Sequence, residues 1–396
     1  MKKKRICILT ATRAEYGLLQ PIIKKLQEYE IIDVKIVVTG MHLSPEFGLT
    51  YHEIEQSGME IDRKIEMLLS ADTPSAISKS MGIALISFAD YFAETKPDMI
   101  VVLGDRYETL AVAIAAMNAR IPIAHLYGGD ISEGAVDDVV RHAITKLSYL
   151  HFTATEEHRK RVIQMGESPD RVFCVGAMSV ENACKQKKLI REELQRELEF
   201  YWEPVDEKLA VVTYHPVTLE DSTAEQQIHN LLDALDAFDS LKIIFTKANA
   251  DAGGRIINQK IEEYVSSHPE KCAVYASLGQ VRYLSAISMA DVVIGNSSSG
   301  LSEVPSFHVP TVNIGDRQRG RMCGETVISC GTEKSAISEA IKKALSSTFR
   351  EEIAEAKNPY EKEGTSENIV KTIIGYLNDY EIDLKKKFYD VIMEIR

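Results

Sequence analysis

The sequence predicts an α/β protein made of two doubly wound domains, each with a parallel sheet covered by helices on both faces. Two observations carry that expectation. Short β-rich runs that are apolar throughout, rather than alternating, recur between longer helical patterns along nearly all 396 residues. Strands apolar on both faces belong to sheets buried on both sides. The rhythm is broken once, by the charge-dense stretch KQKKLIREELQRELEFYWEPVDEK at 185–208, and a second series starts after it. Two such series imply two domains facing each other across a cleft, with functional groups at the carboxyl ends of strands.

RICILT (5–10) is the first strand, followed by the turn ATRAEYG (11–17) and the helical pattern LLQPIIKKLQEY (18–29). VKIVVTG (34–40) and DMIVVLGDR (98–106) are further strands, the latter feeding the Ala-rich helix TLAVAIAAMNA (109–119). IPIAHLYGGD (121–130), LHFTAT (150–155) and RVFCVGA (171–177) continue the pattern. The stretch at 185–208 reads as a connecting helix plus linker. LAVVTYHP (209–216), LKIIFTKAN (241–249), DVVIGNSSS (291–299) and PTVNIG (310–315) supply the second set of strands, and SENIVKTIIGYLNDY (366–380) is helical.

At 45% hydrophobic and 27% charged residues the chain is globular and long enough for two domains. A formal net charge of −13 argues against general affinity for nucleic acid or an anionic membrane. An anionic substrate must then be met by a few local arginines and helix ends. Six scattered cysteines without a CxxC pair fit a reduced, cytoplasmic protein with no disulfides or zinc knuckle. MKKKR mimics the start of a signal peptide, but the apolar run behind it stops at Ala11, and no later run reaches membrane-spanning length. The absence of GxGxxG after the first strand, of a P-loop and of HExxH argues against a dinucleotide oxidoreductase, a P-loop NTPase and a zinc hydrolase.

The most informative stretch is DVVIGNSSSGLSEVP (291–305): a buried strand, a turn of small residues from Gly295 to Gly300, then a helix carrying Glu303 in its first turns. Free N–H groups and a positive helix end suit a phosphate or diphosphate; an ordinary helix cap with nothing bound is the alternative. TATRAEYG puts Arg13 and Gly17 after strand one, where Arg13 either reaches a phosphate or pairs with Glu15. GDRYE brings Asp105 and Arg106 to a strand end together, as ligand groups or as a strand-end salt bridge. HLYGGDISEGAVDDVVRHAITK offers a Gly128–Gly129 turn, Asp130, and a helix opened by Asp137 and Asp138, with Asp137 sharing a face with Arg141 and Asp138 with His142. Together with Asp105, several carboxylates converge on one sheet edge, where differing surroundings can divide acid and base duties. In the second series His215 ends a strand, Asn249 lies in TKANADAGG, and Arg317, Arg319 and Arg321 lie in NIGDRQRGR. These either face a phosphate or form a turn and a solvated basic loop.

Taken in order, TRAEYG, GMHLSPEFGLTYHEIE, LGDRYE, GGD…DD…RHAITK, YHPVTLED, TKANADAGG, GNSSSGLSEVP and NIGDRQRGR resemble the hydrolysing UDP-N-acetylglucosamine 2-epimerases that open sialic acid and legionaminic acid synthesis. The resemblance runs over nearly the whole length. It implies a GT-B-like fold of two Rossmann-like domains: residues 1–180 on the sugar side with the catalytic carboxylates, residues 181–369 binding UDP, and a final helix, about 370–396, crossing back to the first domain. It implies anti elimination of UDP to a 2-acetamidoglucal and then addition of water, releasing N-acetylmannosamine, with no metal or redox cofactor. By motif, Arg13, Arg106, Ser297 and Ser298 would meet the UDP phosphates or nearby groups, with Gly17 in the same turn as Arg13. Ser277 and Leu278 would lie by uracil, Glu303 would accept from ribose hydroxyls, and Asn249 and Arg317 would line the nucleotide pocket. His215 would donate to the leaving phosphate, and Asp105 and Asp137 match the catalytic carboxylates. A homo-oligomer, dimer or tetramer, is the corresponding expectation.

One departure stands out. Many relatives carry Glu where this chain has Tyr127, so Asp130 takes over an acid–base duty, Tyr127 participates, or the two steps are shared differently. The nearest rival substrate is UDP-2,4-diacetamido-2,4,6-trideoxyglucose (UDP-N,N'-diacetylbacillosamine): GMHLSPEFGLTYHEIE and TKANADAGG resemble the legionaminic branch, GAMSVENACKQ and YHPVTLEDSTAEQQ the sialic acid branch. Readings from other classes are a GT-B glycosyltransferase and a non-catalytic nucleotide-sugar sensor.

Overall fold

The computed structural model of the chain describes residues 3–71, 73–132, 136–216, 223–248, 254–379 and 382–392. Two compact units emerge: residues 1–181 with 362–396, and residues 182–361. Unit 1 opens with β1 (Lys4–Thr10), α1 (Arg13–Gln27), β2 (Ile32–Thr39), α2 (Tyr51–Gln56), β3 (Ile61–Ile65) and α3 (Pro74–Thr95). It continues through β4 (Met99–Leu103), α4 (Tyr107–Asn118), β5 (Ile123–Leu126), α5 (Val136–Leu147), β6 (Leu150–Thr153), α6 (Glu156–Gln164) and β7 (Val172–Cys174). Among the described residues these strands form one seven-stranded parallel sheet, ordered β3-β2-β1-β4-β5-β6-β7.

The two-residue period of β1 sends Ile6 and Ile8 into one core with Leu19 and Ile23 of α1, and Cys7 and Leu9 into the other with Phe88 and Phe92 of α3. Both faces are therefore dry, which is why β4 is apolar at every position. Thr12 caps α1 in a capping box with Glu15, so the chain turns sharply from strand to helix at the sheet's carboxyl edge.

Unit 2 is reached through α7 (Met178–Lys185) and α8 (Arg191–Leu198). It contains β8 (Lys208–Thr213), α9 (Ala224–Leu235), β9 (Leu241–Thr246), α10 (Gly254–Ser267), β10 (Cys272–Tyr275) and α11 (Gly279–Met289). Then come β11 (Val292–Gly295), α12 (Ser299–Ser302), β12 (Thr311–Ile314), β13 (Val327–Cys330), α13 (Lys334–Leu345) and α14 (Ser347–Glu352). Its six-stranded parallel sheet runs β10-β9-β8-β11-β12-β13 among the described residues. The stretch expected as a connecting helix plus linker does hold a helix, α8, but the part after it is packed: Phe200 and Trp202 are buried with Leu194 and Leu198 of α8 and with Leu209 and Val211 of β8.

The chain rejoins unit 1 at Lys362, and α15 (Thr365–Asp379) lies along α1, where Lys25 and Glu367 pair at 2.7 Å. The last helix thus begins earlier than about 370 and runs, among the described residues, to Asp379. Residues 382–392 have no regular secondary structure, because Lys386, Phe388 and Tyr389 each dock separately on unit 1. All six cysteines are free, and among the described residues no helix is long and apolar enough to cross a membrane.

Candidate active site

In unit 1 the strand order reverses direction between β1 and β4, the position where open α/β sheets take ligands. At the end of β1, the Glu15 carboxylate accepts from the backbone N–H of Ala11 (2.7 Å) and of Thr12 (3.2 Å). Burial pushes its carboxyl up to about 7, against the pull of the Ala11 donor and the Arg106 charge. Arg13 begins α1 and pairs not with Glu15 but with Glu53 of α2, at 2.9 Å. Glu15 is already turned back onto the strand end, so it offers nothing outward. Gly17 sits one turn further along α1.

Asp105 and Arg106, neighbours in sequence, diverge after β4 rather than pairing. Arg106 reaches the fully buried Glu108 at 2.8 Å and lies 4.0 Å from Glu15 and 3.6 Å from the Met41 sulfur. Asp105 accepts instead from Arg141 of α5, which is only 2% exposed. That guanidinium also donates to the Asp130 carbonyl (2.9 Å), to Ser132 Oγ (3.0 Å) and to Asp138 Oδ1 (3.4 Å). The expected Asp137–Arg141 pair is replaced by these contacts, while Asp138 and His142 do meet, at 3.5 Å. Asp137 is the outward acid of the first turn of α5; desolvation, then the neighbouring charge of Asp105, raises its carboxyl above the usual range.

Asp130 follows the glycine turn after β5. Its Oδ1 accepts from Ile131 N (2.8 Å) and lies 3.3 Å from His158 Nε2. Gly129, at φ +82°, makes the turn close, since a Cβ there would strike the His158 carbonyl of α6. Tyr127 adopts φ +67°, and its hydroxyl accepts from Ser179 N at 3.1 Å. Two buried histidines brace this edge. His125 bonds the Gly104 carbonyl (2.8 Å), and burial pushes it down to about 3; His42 sits between Thr10 and Thr50, and burial pushes it down to about 4. Both are therefore neutral struts in the physiological range.

In unit 2 the reversal falls between β8 and β11. A cavity of about 450 Å³ opens there, lined by Thr213, His215, Lys247, Ser277, Leu278, Tyr283, Ser297 and Ser299 among others. Gly295, at φ +136°, lies so close to β8 that a Cβ would collide with the Thr213 carbonyl. The serine turn can fold down beside His215 for that reason. Asn296 is 1% exposed; its backbone carbonyl accepts from Arg317 Nη1 (3.0 Å) and Gln318 Nε2 (2.9 Å).

Several expectations change here. α12 is a single turn, Ser299–Ser302, and Glu303 caps its end instead of riding on a helix. Pro305 then diverts the chain into the 3₁₀ turn Val304–Phe307. A macrodipole is therefore minor, and local N–H groups and hydroxyls remain the attraction for an anion. Ser297 lines the cavity, Ser298 is exposed and outside its lining, and Ser299 takes the second place. Ser302 Oγ bonds Glu303 at 2.5 Å. Asn249 lies outside the described residues. Among the described residues no group of three or more His, Cys, Asp and Glu is arranged for a metal ion.

Sequence reasoning did not single out Arg141, Glu108 or the histidine struts as site residues. Arg141 was visible only as a helix charge, and its role needs the fold to bring the end of β4 beside α5.

Two doubly wound units, one edged by an arginine-bound set of carboxylates and the other by a serine turn over a cavity, define a GT-B-like α/β protein. The sequence model of the UDP-N-acetylglucosamine 2-epimerase family matches residues 24–374. The GDP/UDP-N,N'-diacetylbacillosamine 2-epimerase (hydrolyzing) of Campylobacter jejuni is 40% identical over 99% of this chain and 100% of its own. The polysialic acid biosynthesis protein P7 of Escherichia coli is 38% identical over 98% of each. Among solved structures, a UDP complex of S. aureus MnaA matches the fold with a TM-score of 0.76, at 20% identity, over 98% of this chain and 100% of that one. The chain belongs to the UDP-N-acetylglucosamine 2-epimerase family.

Proposed function

We propose that this protein is a hydrolysing 2-epimerase of a UDP-linked 2-acetamido sugar, releasing UDP and the free manno-configured sugar. The observation that carries this reading is the carboxylate edge of unit 1: Asp105 held by a buried arginine, with Asp137 raised beside it. Two acids in unlike surroundings are what a proton removal followed by a proton return requires.

In the first step a carboxylate of this edge takes the C2 proton as UDP leaves from the opposite face, giving the glycal. His215 protonates the leaving phosphate, and the N–H groups and hydroxyls at Ser297 and Ser299, the two serines that line the cavity, meet its developing charge. Leu278 and Ser277 flank the base, Glu303 serves the ribose hydroxyls, and Arg317 lines the nucleotide pocket. In the second step an acid returns a proton to C2 and a base directs water to C1. Asp130, fixed by Ile131 N and near His158, is the third carboxylate available for that exchange. Arg13 and Arg106 supply positive charge on the side of unit 1.

For the sugar, the 40% identity to the Campylobacter jejuni enzyme favours a UDP-2,4-diacetamido-2,4,6-trideoxy hexose; the match to the UDP-N-acetylglucosamine 2-epimerase family model supports UDP-N-acetylglucosamine as the second reading. Incubating the protein with each UDP-sugar in deuterated water and following products by NMR tests both. Free UDP and a manno sugar carrying deuterium at C2 are expected. UDP left on an epimerised sugar, or released only when an acceptor is added, would overturn the hydrolytic reading.

A further inference from the structure

The C-terminal segment reaches the far end of the helix that carries Asp137. Lys386 Nζ donates to the carbonyls of Lys146 (3.0 Å) and Ser148 (2.7 Å), at the negative end of α5, and to both oxygens of Glu167 (3.0 and 2.8 Å). Glu167 is 1% exposed and is shared with Lys146 Nζ (2.6 Å) and His151 Nε2 (3.1 Å). Burial alone would raise its carboxyl, yet these three partners hold it down at about 2. Phe388 lies against Gly166 and under the Lys146 ammonium, 5.2 Å from its ring centre, and Tyr389 N donates to the Gly166 carbonyl at 3.0 Å. Each contact falls on α5, on Ser148 just beyond its end, or on the loop after α6.

α5 is a rigid rod between these anchors and the acidic edge. Lys146 and Asp137 are nine residues apart, about 13 Å along the axis at 1.5 Å per residue. A slip of the anchored end is passed to Asp137, Asp138 and Arg141, and through Arg141 to Asp105. We propose that residues 382–392 form a latch on α5, with Lys386 a positioning residue for the carboxylates of unit 1. The catalytic part of this inference rests on the function proposed above; the mechanical part does not.

The test uses the full chain. Lys386→Met should lower kcat about tenfold with KM within about twofold, the pattern of misplaced catalytic groups with binding intact. Lys386→Arg, which keeps the charge and can reach the same oxygens, should recover most of the rate. Phe388→Ala should fall between, and Lys385→Met should match the native protein. Hydrogen exchange of the amides at 137–142 should speed up in Lys386→Met and Phe388→Ala but not in Lys385→Met. Unchanged kcat and unchanged exchange in Lys386→Met would overturn the latch. If the native protein turns over neither UDP-sugar, the proposed function falls, and the exchange measurement still decides whether the latch exists.

Discussion

The side-chain amide of Asn296 bonds both backbone groups of His215: Nδ2 donates to its carbonyl at 2.8 Å, and Oδ1 accepts its N–H at 2.7 Å. The residue after β11 thereby fixes the second residue beyond β8, and the same Asn296 supplies the carbonyl that holds Arg317 and Gln318. Asn296→Ala removes both of these hydrogen bonds from the buried His215 backbone. A loss of about 1–3 kcal/mol in stability is expected, measured by urea denaturation. UDP binding, followed by calorimetry, should weaken as His215 and the serine turn lose their register. Native stability and affinity together would show that the amide does not organise this edge.

Asp105→Asn and Asp137→Asn should each lower turnover by more than about tenfold, the scale of lost acid–base catalysis, while UDP still binds. Near-native rates in both would remove them from the chemistry. Arg141→Lys probes the support behind them. A single ammonium cannot span Asp105, Ser132, Asp138 and the Asp130 carbonyl, so this change should cost about 1–3 kcal/mol and depress kcat as well.

How much of this was legible in the sequence depended on burial. β1, β4 and β8 are nearly apolar throughout and stood out; β3, β10 and β13 did not, because they are the outer strands of their sheets and carry polar or half-exposed residues such as Asp62, Arg63 and Ser329. The site residues at strand ends could be picked by position alone. Their partners could not: Asp105 is next to Arg106 in the chain, yet its cation comes from residue 141, because adjacent side chains leaving a strand point apart and β5 carries the chain on to α5. α12 is shorter than the small residues imply for a local reason, Pro305 ending what they begin.

Glu15 gives a pH signature with a definite sign. Its carboxyl is raised from the ordinary value of 4.5 to about 7, first by burial, so between those pH values the folded chain binds a proton that the unfolded chain has released. Its contribution to stability is complete below about 4.5 and is lost as pH rises through about 7, after which it is flat. Glu15→Gln keeps an acceptor for the Ala11 and Thr12 N–H groups and cannot ionise. Urea midpoints taken from pH 5 to pH 8 should therefore show the native protein losing ground steadily against Glu15→Gln up to about pH 7, then running parallel to it. Curves that stay parallel over the whole range would mean the carboxylate is stabilised in the fold as well as it is in water, with the backbone donors and Arg106 fully offsetting its burial.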